Sequence, residues 1–311
     1  MGELAPGARA KAAACAAAAP AAGCGSGGPA RAELVQGRNT VTERAARYPL
    51  RLLFLRGGQH AAVWAYAVTF GGGLTSADAV VCAVEVGPGA ALVLGTQGST
   101  KVFRARAAGE AARLEARLLV AAGALLASCP QPVTCFRGSR LEQRTQVRLE
   151  RGGSLVLVDW LSCGRAEGHG EVWAMDYLRS SISLLLLAAA HDGAGDVVAR
   201  DAAAEPLLLD DVLLCAADGA AAQMDQCRAF ATVLLAGPRV VPLLPLAGAA
   251  RLRPGLCVSC ATVASPDHVP GGVVVLRIAA AAVETVQGVL AELLLPLAGP
   301  LGGELYAPVP A

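Results

Sequence analysis

The feature that most constrains this chain is a recurrence: a strand-like run, a glycine turn and a leucine-rich strand-like run follow one another three times, about thirty residues apart. Val80 to Val86 passes through Gly87-Pro88-Gly89 into Ala90 to Leu94. Leu114 to Val120 passes around Gly123 into Ala124 to Ala127, and Arg144 to Glu150 passes through Gly152-Gly153 into Leu155 to Val158. Glycine and proline punctuate strands because they supply turn dihedrals that other residues resist. Taken singly, the first and third pairs read as hairpins whose glycine turns join adjacent antiparallel strands. Taken together, the repetition points to a mainly β fold of stacked antiparallel β-layers, a β-helical or solenoid-like body, with an ordinary antiparallel meander as the alternative that gives the same pattern.

Strand signals run from about Val35 to Ser183, and Pro206 to Cys215 is strand-like again, with an Ala/Asp/Gly loop over Ala188 to Glu205 between them. Ala220 to Leu235 and Val275 to Leu295 have the composition and length of helices, so about two C-terminal α-helices are expected. Residues 1–36 read as a disordered Ala/Gly/Pro-rich extension and residues 37–311 as a single domain.

Composition then removes several classes of function. With 26 basic against 25 acidic residues, no net field draws the chain to nucleic acid or anionic lipid. Mean hydropathy is +0.50, yet the most apolar windows are broken: Thr232 to Ala250 by Arg239 and three prolines, Val273 to Gly299 by Arg277, Glu284 and Glu292. The N-terminal tract has no leucine-rich segment of the kind a secretory signal needs, and Pro6 stands where a myristoylation motif wants Ser or Thr. Ten cysteines in that setting point to a reducing compartment, and a cytoplasmic protein is expected.

Enzyme signatures are equally absent. Gly98-Ser99-Thr100-Lys101 has phosphate-loop residue types in the wrong order, and no Gly-x-Ser-x-Gly elbow occurs. The histidines His60, His169, His191 and His268 lie in loop-like surroundings, and Cys163 or Cys135 with His169 is the one thin case for a hydrolase. Cys257 and Cys260, with His268 nearby, make only half of a structural zinc set, so free thiols are the expectation. No tightly bound cofactor is expected. Asp159 interrupts an apolar run before Trp160; a carboxylate there is costly unless paired or bound to a cation, and Arg165 and Arg179 are the candidate partners for an ion pair. Trp64, Trp160 and Trp173 are core residues by default.

Three stretches carry a resemblance to a known family. Tyr48-Pro49-Leu50, Trp64 to Gly73 and Leu74, with Asp78 following, are similar to the family's glycine-rich turn and its aspartate. Val84 to Ala90 running into Thr96-Gln97-Gly98-Ser99-Thr100-Lys101-Val102-Phe103-Arg104 is similar to the family's Thr-Gln-x-x-Thr-Lys-Val core. Pro130 to Phe136, Leu155 to Trp160, Ser162-Cys163-Gly164-Arg165 and Gly170-Glu171-Val172-Trp173 complete the set; Pro206 to Asp210 and Arg277 still fit, whereas the family's C-terminal Trp and Arg have no counterpart. The family these stretches resemble is the UreD (UreH) family of urease accessory proteins, in its plant-type branch.

The resemblance implies a non-enzymatic metallochaperone scaffold that acts with UreF and the GTPase UreG on apo-urease, with nickel in transit through its interior. The carboxylates nearest the matched motifs, Asp78, Glu85, Asp159, Glu171 and Asp176, are then candidates for a transient nickel path, since nickel accepts carboxylate, imidazole and thiolate ligands. Thr96, Gln97, Ser99, Thr100 and Lys101 are candidate partner contacts. The alternative is a β-rich interaction or ligand-binding scaffold unrelated to urease.

Overall fold

The computed structural model describes residues 29–307 apart from 36–37, 45, 47, 56–60, 77, 108, 188–203 and 251–255. His60, His191, nearly all of the Ala188 to Glu205 loop and residues 1–28 lie outside the described residues. The described chain is mainly β. Its strands are β1 (Pro29–Val35), β2 (Arg38–Arg44), β3 (Leu50–Phe54), β4 (Val63–Thr69), β5 (Gly73–Leu74), β6 (Ala79–Val86), β7 (Ala91–Thr96), β8 (Thr100–Val102) and β9 (Ala112–Val120). They continue as β10 (Leu125–Ser128), β11 (Val133–Cys135), β12 (Arg140–Glu150), β13 (Ser154–Cys163), β14 (Tyr177–Leu187), β15 (Glu205–Leu214), β16 (Ala229–Ala236), β17 (Leu256–Ala264) and β18 (Val273–Ala280). β1 falls inside the stretch expected to be an extension and pairs with β6.

The recurring unit is one coil of a solenoid. The first strand of each unit enters a seven-stranded sheet, β15-β14-β12-β9-β6-β1-β2, and the second enters an eleven-stranded sheet whose main path is β17-β18-β16-β13-β10-β7-β4-β3. The hairpin reading is therefore corrected. The glycine turns join opposed sheets, and stacked coils pair in parallel, β6 with β9 with β12 and β7 with β10 with β13. A turn signal fixes a reversal of the chain but not the identity of the strand's hydrogen-bonded neighbour.

The three turns are copies of one another. Each closes with a bond from the fourth residue to the first, Ala90 to Gly87, Ala124 to Ala121 and Gly153 to Glu150. Gly89, Gly123 and Gly152 hold the third position at φ of 68°, 71° and 86°, which glycine adopts without strain. The turns stack through Gly89 N–H to Ala122 O and Gly123 N–H to Gly152 O.

Antiparallel pairing is confined to the periphery: β1 with β2, β3 with β4, β14 with β15, and the run β13, β16, β18, β17. The strands that end the seven-stranded sheet and the main path of the eleven-stranded sheet, β2, β15, β3 and β17, run against their neighbours, while the short β5, off that path, pairs in parallel with β8.

Two cores follow from the sequence of β13. Leu155, Leu157, Leu161 and Cys163 face the seven-stranded sheet, while Val156, Val158 and Trp160 face the C-terminal helices. A strand buried on both faces reads as a continuous apolar run. The same effect hid β16: Ala220 to Leu235 was expected to be a helix, but only Ala220–Gln223 is helical, and Ala229–Ala236 is a strand with apolar residues on both sides. Of the second expected helix, Val283–Leu294 forms, followed by the short Ala298–Leu301, and its first part is β18. The C-terminal end packs back on the body: the Trp64 indole donates to Leu301 O at 2.9 Å, and Tyr306 stands edge-on to Trp160 at 5.8 Å. All three tryptophans are buried, as expected.

Candidate functional site

A cavity of about 430 Å³ lies between the two sheets. Its seven-stranded wall is built from β6, β9 and β12 through Val80, Cys82, Ala116, Gln143 and Thr145; its opposite wall comes from β7, β10 and β13 through Leu94, Ser128 and Asp159. Thr96, Gln97, Ser99, Thr100 and Lys101 line it as well. The structure thus gathers the whole polar string and Asp159 at one site.

Asp159 points inward because it shares the phase of Leu155, Leu157 and Leu161 along β13. Its carboxylate accepts from Gln143 Nε2 at 2.6 Å and from Ser180 Oγ at 2.5 Å. The expected ion pair is not formed. Arg165 instead binds Glu171 at 2.7 Å and Arg179 binds Asp211 at 2.6 Å, because both arginines lie on the outside of the body. Loss of water pushes the Asp159 carboxyl up; the Ser180 and Gln143 hydrogen bonds oppose that, and the charge of Asp210 adds to it. Gln143 Oε1 is buried with no hydrogen-bond partner.

The other four carboxylates lie elsewhere. Asp78 caps its own turn, accepting from Thr75 N at 2.7 Å and Thr75 Oγ1 at 2.9 Å. Glu85 is on the outward phase of β6, and Asp176 is exposed. Glu171 is buried under Arg165; burial would raise its carboxyl, but the Arg137 amide and the Arg165 guanidinium outweigh that and hold it below the usual range. Arg165 also stacks on Phe136, 4.9 Å from the ring centre, so these matched residues brace the end of the coils opposite the glycine turns.

Sequence reading missed Gln143, Thr145 and Ser180. The signal was present: each occupies the inward phase of a strand otherwise marked by Leu141, Val147 and Leu149, or by Leu178, Ile182 and Leu184. It also missed a polar row beside Asp159. Asp159 is registered against Thr232 and Thr232 against Arg277 on three successive strands, and Arg277 forms an ion pair with Asp210 of the other sheet.

Cys257 and Cys260 do not converge. Three residues apart on β17, they point to opposite faces, as the two-residue strand period requires. Cys135 is buried with its thiol pushed up to about 12, and His169 is exposed, so neither suits the hydrolase reading. Among the described residues no three of His, Cys, Asp and Glu group as metal ligands, and no helix is long and apolar enough to cross a membrane.

The model of the UreD urease accessory protein family matches residues 28–310. A urease accessory protein UreD of Sorangium cellulosum is 39% identical over 274 residues, covering 88% of this chain and 80% of that protein. The urease accessory protein D of Arabidopsis thaliana is 32% identical over 308 residues, covering 88% and 97%, and that of Oryza sativa subsp. indica is 37% identical over 219 residues, covering 68% and 65%. A match through all the coils and both terminal helices leaves no room for the unrelated-scaffold alternative, and this chain belongs to the UreD family of urease accessory proteins.

Proposed function

We propose that this protein is a cytoplasmic metallochaperone scaffold that works with UreF and the GTPase UreG on apo-urease, and that nickel passes through the cavity as cargo. The observation that carries the reading is Asp159, a carboxylate facing an internal cavity with only neutral partners. A buried carboxylate held by an arginine has its charge neutralised, whereas this one keeps its charge available to a divalent cation and exchanges it for a proton readily. Oxygen ligands from Asp159, the free Gln143 carbonyl and nearby hydroxyls make a weak site for nickel, which suits cargo that must leave again. The rim string Thr96 to Lys101, with Gln97 and Lys101 exposed, is the surface we assign to partner contact.

The test is co-expression with UreF, UreG and apo-urease, followed by pull-down and nickel analysis of the urease. Asp159→Asn is expected to leave complex formation intact and to lower nickel content and urease activity. Full nickel loading through the Asn variant would remove Asp159 from the path; failure of the wild-type protein to join the complex would overturn the scaffold reading.

A further inference from the structure

The end of the coils opposite the glycine turns repeats a short pattern. Val102, Cys135 and Cys163 stand in one rung of three parallel strands, β8, β11 and β13. The residues that follow them are Phe103-Arg104, Phe136-Arg137 and Gly164-Arg165, so each of the three strands hands an arginine to this end. The alignment persists past the rung: Phe136 N–H donates to Val102 O at 3.1 Å, and a Cβ on Gly164 would stand 3.3 Å from the Phe136 Cα. The rings of Phe103 and Phe136 meet edge to face at 5.6 Å. All three arginines are exposed.

Neighbouring strands lie about 4.8 Å apart, and like charges at equivalent positions on them repel unless an anion stands between them. One interval of this row has its anion. Glu171 accepts from Arg165 Nη2 at 2.7 Å and from the Arg137 amide at 3.2 Å, and lies 4.0 Å from Arg137 Nε, so a single carboxylate spans two neighbouring strands. The next interval, between Arg137 and Arg104, has none. Arg104 is bridged through its backbone to Ser139 and runs its stem beside Gly138, where a Cβ would come within 3.3 Å of Arg104 Cγ. The Asp176 amide donates to the same Ser139, yet its carboxylate forms no ion pair with Arg104. Among the described residues Lys101, Arg104 and Arg106 form no ion pair at all, and each is exposed.

We propose that the Arg104–Arg137 interval takes a carboxylate side chain from an acidic segment of a partner protein, as Glu171 occupies the Arg137–Arg165 interval. Arginine suits this role because its planar fork offers a carboxylate two parallel N–H···O bonds. An acidic segment fits better than a single small anion, since Lys101, Arg104 and Arg106 set three unpaired cations along six residues of chain, more than one small anion can meet. The assignment concerns docking and holds whether or not nickel passes through the cavity.

The probe is a fluorescein-labelled octaglutamate peptide titrated with the full-length protein at low salt and read by fluorescence anisotropy, with octaglutamine as the neutral control. Saturable binding of octaglutamate that weakens with added salt, and none of octaglutamine, is expected. Arg104→Ala is expected to weaken binding roughly three- to fivefold, the scale of one exposed ion pair, and Arg104→Glu to abolish it. Arg38→Ala, on edge strand β2, should leave it unchanged. Glu171→Gln empties the second interval and should tighten binding, which a purely structural role for Glu171 would not do. Equal binding of the two peptides, wild-type binding by Arg104→Glu, a folded Glu171→Gln variant that binds no tighter, or displacement of the peptide by inorganic phosphate at constant ionic strength would each overturn the assignment. The peptide comparison and the phosphate competition use the wild-type protein and stand even if a variant fails to fold.

Discussion

Asp210 and Arg277 belong to different sheets and lie 67 residues apart, yet they form an ion pair across the interior. Asp210 is almost fully buried, whereas the Arg277 side chain is 47% exposed. The pair therefore holds β15 against β18 asymmetrically. Arg277→Ala strands a carboxylate in the core and is expected to cost about 3 kcal/mol, the low end for breaking a buried pair because the guanidinium is half in water. Asp210→Ala leaves an arginine that can turn to solvent and should cost clearly less. Urea denaturation of the two variants checks the order; equal losses would contradict it.

Asp159 gives a prediction about pH. Its carboxyl is raised in the folded protein, so the folded state holds its proton to higher pH than the unfolded chain does. Stability from this group therefore falls as pH rises from the ordinary carboxylate range through the folded value. Asp159→Asn abolishes that fall and should be at least as stable as the wild type at neutral pH, since Gln143 can turn its unpartnered oxygen toward the new amide. Thermal unfolding between pH 4 and 8 measures the difference, and an unchanged slope would refute it.

Glu171 has the opposite sign. Its folded carboxyl lies below the usual range, so its contribution is present above the unfolded glutamate value of roughly 4.3 and is lost as pH falls through that value toward the folded one. Glu171→Gln should flatten the acid limb of the stability curve and leave the opposite response of Asp159 unchanged. The same titration of unfolding midpoints separates the two residues.

Backbone contacts at the turn end predict a graded glycine series. A Cβ on Gly237, at φ 93°, would stand 2.0 Å from Gly153 O, and one on Gly153 would stand 2.9 Å from Ala121 O. Gly237→Ala should lose about 1 to 3 kcal/mol from its dihedral alone, with the clash in addition. Gly153, whose φ is not positive, should suffer only from crowding. Gly288 sits mid-helix on an exposed face with open space around it, and Gly288→Ala should stabilise by about 0.5 to 1 kcal/mol. Melting temperatures of the three variants give the ranking.

Much of this was legible in residue order. The spacing of Gly89, Gly123 and Gly152 announces the coils, and the break that Asp159 makes in β13 marks the cavity. Strand partners were not legible, because a turn of given dihedrals serves a hairpin and a solenoid corner equally. Ala229–Ala236 was misread because burial on both faces erases the alternation that separates strand from helix. The partners of Asp159 escaped because Gln143 and Ser180 are neutral, and sequence reading looked for charge.

The reversed edge strands carry a consequence for the molecule in a crowd. A stack of parallel coils with bare parallel ends is a template that further copies could lengthen without limit, the geometry of a fibril. Here β2, β15, β3 and β17 each run against the coil they cover. A second molecule pairing with any of them would not continue the parallel repeat of the coils across that edge. The coil stack thus ends on each flank in a strand that does not repeat its parallel ladder.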